Sequence, residues 1–163
     1  MLMAKEISHV DERGKATMVD IGRKDATRRS ATARVSLTLN EKTYSLLKED
    51  RLSKGDALAA ARLAGIMAAK KTSDLIPLCH QIPLDQVSID FFMDDTERRV
   101  TITGAALTTA RTGVEMEALT ACAIAGLTLY DMLKSSQKDI LISNLMLLKK
   151  SGGKSGDFTS PAL

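Results

Sequence analysis

The sequence predicts an α+β, ferredoxin-like fold, in which helices pack on one face of an antiparallel sheet. Residues 32–39 alternate apolar with polar side chains, as a strand with one buried face does. Residues 86–93 and 98–109 alternate in the same way, and the polar turn at 94–97 joins them as a hairpin. Helical stretches precede and follow the hairpin, and a last strand is predicted at 139–149. This order is that of a split βαβ unit.

The chain has 163 residues, which fits one domain with a core of its own. We therefore predict a single domain over residues 1–163. Residues 1–30 are polar without sustained periodicity, and we expect a partly ordered arm there. Residues 151–163 are expected to form a flexible tail, because glycine is frequent in that stretch.

Helices are predicted at three places. The first follows Asn40, a residue type that caps helices well. The second covers the alanine-rich run 57–69, which follows a stretch, Ser53–Asp56, with the spacing of a capping box. The third is the long apolar stretch 113–134. Residues 76–84 hold two prolines and are predicted to be a constrained loop before the hairpin.

Composition argues against several classes of function. A formal charge of +3 and 3% aromatic residues, with no Trp, argue against a nucleic-acid partner, which needs a basic surface or stacking platforms. Cys79 and Cys122 are far apart and only two histidines exist, so we expect no metal site and no cofactor, with a divalent ion such as Mg²⁺ as the alternative. No stretch has the pattern of a signal peptide or membrane span, so we expect a cytoplasmic protein without a membrane partner.

The long helical stretch carries charges at both ends and none between Glu117 and Asp131. Ionisable groups at the margin of a buried element are candidates for chemistry, since burying them unpaired is costly. The stretch is also apolar over most of its circumference, which is more than packing on one sheet requires. We therefore expect a second burial surface, most simply another subunit.

Glu117 and Asp131 lie fourteen residues apart, which is about 21 Å along a helix axis. One small metabolite cannot contact both ends, so the charges belong to two sites or to one site completed by a second chain. Asp131 and Lys134 are three residues apart and share a helix face as an acid–base pair. The alternative is that Glu115, Glu117 and Lys134 only offset the helix dipole.

Three further features can carry chemistry. Lys54 is predicted in the first turn of the second helix, where a lysine beside free N–H groups would bind phosphate, and a solvated surface lysine is the commoner alternative. His80 lies in the constrained loop, which can aim a side chain, although a lone histidine is more often structural. Lys150 and Lys154 lie in the glycine-rich stretch and can close over phosphates, with a disordered tail as the alternative.

Four motifs, in this order, resemble one known family. They are Asp74–His80 (DLIPLCH), Thr112–Ala121 (TGVEMEALTA), Tyr130–Met132 (YDM) and Lys150–Asp157 (KSGGKSGD). Together they are similar to molybdenum cofactor biosynthesis protein C, the family of cyclic pyranopterin monophosphate synthases. The likeness runs from about residue 18 to residue 157, and four long motifs in the right order are far more specific than one short pattern.

The resemblance implies a ferredoxin-like subunit in a hexamer, built as a trimer of dimers with active sites at dimer interfaces. It implies a cyclised dihydro-GTP as substrate, which is rearranged to cyclic pyranopterin monophosphate with release of pyrophosphate. The positions that match the family's functional residues are Lys54, His80, Glu115, Glu117, Asp131, Lys134 and Lys150. The matching motifs also contain Cys79, Met116 and Lys154, which we add as substrate-binding candidates.

Given this resemblance, Asp131, Lys134 and Lys54 are our catalytic candidates. Asp131 and Lys134 are expected to transfer protons as rings open and close, and Lys54, Lys150 and the tail to stabilise the triphosphate and the leaving pyrophosphate. His80, Glu115 and Glu117 are expected to hold the purine-derived part or to relay protons. Lys134 is expected to have a lowered pKa, as a lysine in a basic pocket does. Two positions depart from the family pattern: Arg111 stands where lysine is usual, and Gln81 replaces a common proline. A guanidinium does not exchange protons as an ammonium does, so Arg111 receives no proton-transfer role.

Two other functions fit the predicted topology. A ferredoxin-like regulatory module would bind a nucleotide without turning it over. An RNA-recognition domain would need aromatic residues on its sheet, and the strand segment Arg99–Ile102 has none. The motif match favours the enzyme over both.

Overall fold

The structure of the chain, a computed structural model, describes residues 13–161. Residues 1–12 of the predicted arm and residues 162–163 of the predicted tail lie outside the described residues. The strands are β1 (Thr27–Thr38), β2 (Gln86–Asp94), β3 (Arg99–Ala110), β4 (Leu141–Ser151) and β5 (Phe158–Thr159). The helices are α1 (Glu41–Lys48), α2 (Ala57–Ala69), α3 (Thr72–Leu75) and α4 (Glu115–Leu133).

The five strands form one antiparallel sheet in the order β2-β3-β1-β4-β5. β1 pairs with β3 in an unbroken register, with Val35 opposite Ile102, and pairs with β4 through two irregularities. α4 packs on β1 and β3, and α2 packs beside α4 and on β2. The predicted α+β, ferredoxin-like fold is therefore confirmed.

The apolar–polar alternation of β1 decides which of its faces meets α4. Val35 is buried and lies beside Gly126 of α4. Ser36, on the opposite face, is buried as well, and its hydroxyl lies 3.4 Å from the hydroxyl of Thr101 on β3. Apolar burial of this kind stabilises a fold by roughly 25 cal/mol per Å² removed from water. The alternation therefore fixes α4 in place over the centre of the sheet.

α4 meets α2 at close range, so part of its excess apolar surface is buried within the chain. A Cβ at Gly65 of α2 would lie 2.9 Å from the carbonyl oxygen of Ala121 and 3.1 Å from Ala125 Cβ. We expected another subunit to bury this surface, most simply. α2 of the same chain buries part of it instead, so that expectation is corrected for this part of α4. Leu127 of α4 still exposes 54% of its surface. Within residues 13–161, α4 alone has the length and hydropathy of a membrane span, and half of that stretch is buried, as in core helices.

The two predicted helix starts had different outcomes. Asn40 caps α1, as predicted. α2 is capped by the carboxylate of Asp56 and not by Ser53, so the predicted capping box was wrong. The physical reason is the turn that precedes the helix, in which Gly55 has a φ of +86° that helices do not contain. Lys54 consequently lies in this turn and not in the first turn of α2.

The glycine-rich stretch after β4 folds back along that strand. Gly152, Gly153 and Gly156 have φ values of +87°, +78° and +69°, which favour glycine. The short strand β5 then pairs with β4, and the N–H of Ser160 donates to the carbonyl of Leu148 at 2.7 Å. The sequence did not predict β5, since a two-residue strand leaves no periodic signal. The fold-back places the tail beside the start of α4.

Candidate functional site

Two cavities meet at the N-terminal end of α4. The first, of about 330 Å³, is formed by residues of the arm that precedes β1, by the loop 78–80 and by the start of α4. The second, of about 720 Å³, is formed by the arm, the end of β3 and the glycine-rich stretch after β4. Both volumes are in the range of small-molecule sites. The residues common to the two cavities are Lys24, Thr112, Gly113 and Glu115.

The first cavity combines an apolar wall with a few polar groups. Leu78 and Met116 contribute apolar surface from the loop and from α4, and Val19 contributes it from the arm. His80 Nε2 lies 2.8 Å from the carbonyl oxygen of Val19. Since a carbonyl only accepts, Nε2 carries the proton in the neutral ring and Nδ1 is left as an acceptor. The loop was predicted to orient His80, and a hydrogen bond to the arm holds the ring as well.

Glu117 is the most deeply buried carboxylate in this cavity, with 4% of its surface exposed. Burial raises the pKa of Glu117, the nearby charge of Glu115 raises it further, and a backbone hydrogen bond opposes the shift. Burial, and then the charge of Glu117, raises the pKa of the Cys79 thiol. Cys79 therefore ionises to a thiolate less readily, and it is better suited to line the cavity than to act as a nucleophile. The buried carboxyl of Glu117 is suited to hydrogen bonding with the polar groups of a ring-shaped ligand.

The second cavity is strongly basic. Its cationic lining residues are Arg23, Lys24, Arg29, Arg111, Lys150 and Lys154, and its carboxylates are Asp25 and Glu115. Such an excess of cations attracts anions, and one guanidinium group can donate two parallel hydrogen bonds to one phosphate. The cavity is therefore suited to an oligophosphate.

Two cations of the basic cavity are held in defined positions. Arg29 donates its Nε–H to the carbonyl of Ala110 at 3.0 Å, and Gly153 leaves room for its guanidinium, because a Cβ there would overlap Nη1. Lys150 Nζ lies 2.5 Å from Ser155 Oγ and 3.5 Å from Glu115 Oε1. Both cations are therefore positioned by the chain before any ligand is present.

The C-terminal end of α4 carries a separate charged cluster, made of Asp131, Lys134 and Lys54. Lys134 Nζ lies 2.5 Å from Asp131 Oδ1, and Lys54 Nζ lies 3.3 Å from Asp131 Oδ2 and 2.7 Å from the Asp131 carbonyl oxygen. Hydrogen bonds from Lys134 and then Lys54 lower the pKa of Asp131. The hydrogen bond to Asp131 raises the pKa of Lys134. The predicted lowering of the Lys134 pKa was therefore wrong for the single chain, because its nearest neighbour is an anion and both groups are exposed.

The structure brings the sequence-predicted residues together in two groups, not one. His80, Cys79, Met116 and Glu117 line the first cavity, and Lys150 and Lys154 line the second. Glu115 lies between them. The cluster of Asp131, Lys134 and Lys54 is at the other end of the same uninterrupted helix, about 21 Å away along its axis.

Several cavity residues were not predicted from the sequence. Arg23, Lys24 and Arg29 belong to a stretch treated as an arm, and Arg111 was noted only as a departure from a family pattern. The density of basic residues from Arg23 to Arg29 was a usable signal. What the sequence did not reveal is that pairing of β1 with β3 and β4 gathers them around one cavity. Among residues 13–161, no three His, Cys, Asp or Glu side chains are grouped as a metal ion requires.

Comparison with known proteins gives one consistent result. The model of the MoaC family matches residues 18–153. A cyclic pyranopterin monophosphate synthase of Peptoclostridium acidaminophilum is 48% identical over 153 residues, which are 94% of this chain and 96% of that protein. One of Thermomicrobium roseum is 50% identical over 151 residues, 93% of this chain and 91% of that protein. Molybdenum cofactor biosynthesis protein 1 of Homo sapiens is 45% identical over 157 residues, 96% of this chain and 25% of that protein.

Proposed function

The chain belongs to the MoaC family, and from this premise we propose that it converts 3′,8-cyclo-7,8-dihydro-GTP into cyclic pyranopterin monophosphate with release of pyrophosphate, an early step of molybdenum cofactor biosynthesis. The observation that carries the proposal is the junction of a partly apolar cavity and a basic cavity at Glu115. A nucleotide has the same two parts, a ring system and a chain of phosphates. No resident cofactor is required by this assignment.

The first cavity takes the purine-derived ring. Met116 and Leu78 provide apolar contact for its faces, and Glu117 and the backbone around Cys79 provide polar contact for its edge. His80, held through Nε2 by the arm, presents Nδ1 as the atom that accepts or relays a proton. The buried carboxyl of Glu117 favours a ring that carries N–H donors, as a guanine-derived ring does.

The second cavity takes the triphosphate. Formation of the cyclic phosphate requires an oxygen of the sugar part to attack the α-phosphorus while the bond to the β-phosphate breaks and pyrophosphate leaves. Negative charge accumulates on the leaving group, so cations fixed around it lower the barrier. Lys150, Lys154 and Arg29 fill this role, and the first two are among the substrate-binding residues expected from the sequence.

Proton transfer is assigned to Asp131 and Lys134, and Lys54, which contacts Asp131, is assigned to the triphosphate that a second chain would bring to this cluster. In the single chain their mutual ion pairs keep Lys134 protonated and Asp131 ionised. A second subunit that brings its basic cavity to this cluster would add positive charge around Lys134 and bury it, and both effects lower a lysine pKa. We therefore propose a homo-oligomer, a hexamer built as a trimer of dimers, in which each site combines the N-terminal end of one α4 with the C-terminal end of another. We also propose a cytoplasmic location, as the sequence predicts.

The test of this function is turnover by the purified protein. Cyclised dihydro-GTP is supplied, and pyrophosphate and the pterin product are followed for the wild type and for Lys54→Ala, Asp131→Ala and Lys134→Ala. We expect each variant to lose at least about a hundredfold in kcat, the usual contribution of a general acid or base. Lys138→Ala, an exposed lysine just beyond α4, is the matched control and should keep wild-type turnover.

Two results would contradict the proposal. A wild-type protein that binds the nucleotide without releasing pyrophosphate would be the regulatory module that the topology also fits. A Lys134→Ala variant with undiminished turnover would remove the assigned acid–base pair.

A further inference from the structure

Glu115 stands among cations in a cavity suited to anions. Its carboxylate oxygen Oε1 lies 3.5 Å from Lys150 Nζ, and the two side chains keep only 33% and 20% of their surface exposed. Lys154 and Arg29 line the same cavity. A carboxylate there opposes the binding of any phosphate to Lys150, because both anions need the same ammonium group.

We propose that Glu115 is an internal counter-ion of the basic cavity, which competes with ligand phosphates for Lys150 and so limits the affinity for the pyrophosphate product. The identity of the ligand rests on the proposed function, and the competition itself rests only on the charges and distances above. Bound phosphates displace Glu115 from Lys150. When pyrophosphate leaves, Glu115 returns, so the carboxylate favours product release.

Gly113 is the residue that makes this position available to Glu115. A Cβ at Gly113 would overlap the Glu115 carboxylate, whose three atoms are the nearest to it. The φ of Gly113 is not in the left-handed region, so alanine is compatible with the backbone there. A single methyl group at position 113 therefore moves the carboxylate, which is the end of a flexible side chain.

The simpler role for Glu115 is direct contact with the ring of the substrate, as the sequence predicts. That role predicts a different effect of the Glu115 substitution on pyrophosphate binding. If Glu115 only contacts the ring, its removal leaves pyrophosphate binding unchanged and weakens substrate binding. If Glu115 is a counter-ion, its removal strengthens pyrophosphate binding, because Lys150 is then free.

The test is calorimetric titration with inorganic pyrophosphate at fixed ionic strength, without substrate. We expect Glu115→Gln to bind about fivefold more tightly than the wild type, the upper range for a partly exposed ion pair. Gly113→Ala should tighten binding in the same direction, and the double variant should bind no more tightly than Glu115→Gln alone. Lys150→Gln, which replaces the cation by a shorter neutral polar side chain, should bind more weakly than the wild type.

The inference is overturned if Glu115→Gln binds pyrophosphate with equal or lower affinity, or if the wild type binds none. Additive effects of Gly113→Ala and Glu115→Gln would also overturn it, since Gly113 would then act through another group. Thermal unfolding of each variant checks that the fold is intact. A wild type that binds pyrophosphate in the expected pattern but releases none from cyclised dihydro-GTP would contradict the proposed function and leave the counter-ion in place.

Discussion

At the scale of single residues, the site is defined by charged groups whose environments differ. Glu117 is buried in the first cavity and its pKa is raised, whereas Asp131 is exposed between two lysines and its pKa is lowered. The two carboxylates lie on one helix, and their pKa values are shifted in opposite directions because one is desolvated and the other is paired with lysines. Environment, and not residue type, separates the two carboxylates, and the proposed function uses the first for ring contact and the second for proton transfer.

The raised pKa of Glu117 predicts a pH-dependent stability. The folded state holds the proton more strongly than the unfolded state, so the free energy of unfolding falls as pH rises from about 4.5 through the raised pKa. Glu117→Gln removes the ionisation. We expect this variant to gain stability over the wild type as pH rises, by on the order of 1 kcal/mol at neutral pH, the usual cost of an unsatisfied buried polar group.

Urea unfolding at a series of pH values between 4 and 8 measures this difference. Glu97→Gln, in the exposed turn of the hairpin, is the control and should match the wild type across the series. A Glu117→Gln advantage that does not grow with pH would show that ionisation of Glu117 costs the fold nothing.

Residue identities in the site were largely accessible from the sequence, and their surroundings were not. The motifs around His80 and Glu117 marked the first cavity, and Lys150 marked the second. The lowered pKa expected for Lys134 was wrong, since a sequence does not show that Asp131 is the nearest charge to it. The contribution of Arg29 was missed for the same reason, because only strand pairing brings it to the cavity.

At the scale of elements, α4 is fixed by two close contacts made possible by glycine. Gly65 lets α2 approach the backbone of α4, and Gly126 lets α4 approach Val35 of β1. The two contacts differ in tightness. A Cβ at position 65 would meet a backbone oxygen at 2.9 Å, whereas one at position 126 would meet Val35 Cγ1 at 3.3 Å. A backbone atom cannot yield, and a side-chain methyl can shift by a few tenths of an ångström.

Alanine substitutions at these two glycines are predicted to differ in sign or size. Alanine gains about 1 kcal/mol over glycine in a helix, and overpacking costs about 1–3 kcal/mol. We expect Gly65→Ala to lower the free energy of unfolding by about 1 kcal/mol, and Gly126→Ala to change it by less than about 0.5 kcal/mol. Urea unfolding of both variants measures this, and equal stability of the two would contradict the proposed packing of α2 on α4.

Most elements with strong periodicity were predicted well, and the short or irregular ones were not. β1 is the exception, because it begins at Thr27, five residues before its predicted start and within the predicted arm. The hairpin of β2 and β3 was within one residue of its predicted bounds, and α4 was within two residues at its start. α3 and β5 are short, so tertiary contacts and not local pattern decide them. The bounds of α2 were predicted correctly, but its cap was not, because a glycine turn separates Ser53 from Asp56.

At the scale of the whole molecule, the central feature is the length of α4. It separates the two cavities at its N-terminal end from the cluster of Asp131, Lys134 and Lys54 at its C-terminal end, by about 21 Å. A substrate with a ring and three phosphates cannot span that distance and also react at both ends. The proposed function therefore requires two chains for each site, so that the two ends of one α4 belong to different sites.

Complementation between two inactive variants tests this requirement most directly. Lys150→Ala damages the end with the cavities, and Lys134→Ala damages the end with the acid–base cluster. The two differently tagged chains are co-expressed, and pyrophosphate release from cyclised dihydro-GTP is measured for each variant alone and for the mixture. If sites are shared, a mixed dimer has one doubly damaged site and one intact site, so random mixing should restore about a quarter of wild-type turnover. No restoration above the single variants would mean that each site belongs to one chain, and it would contradict the account.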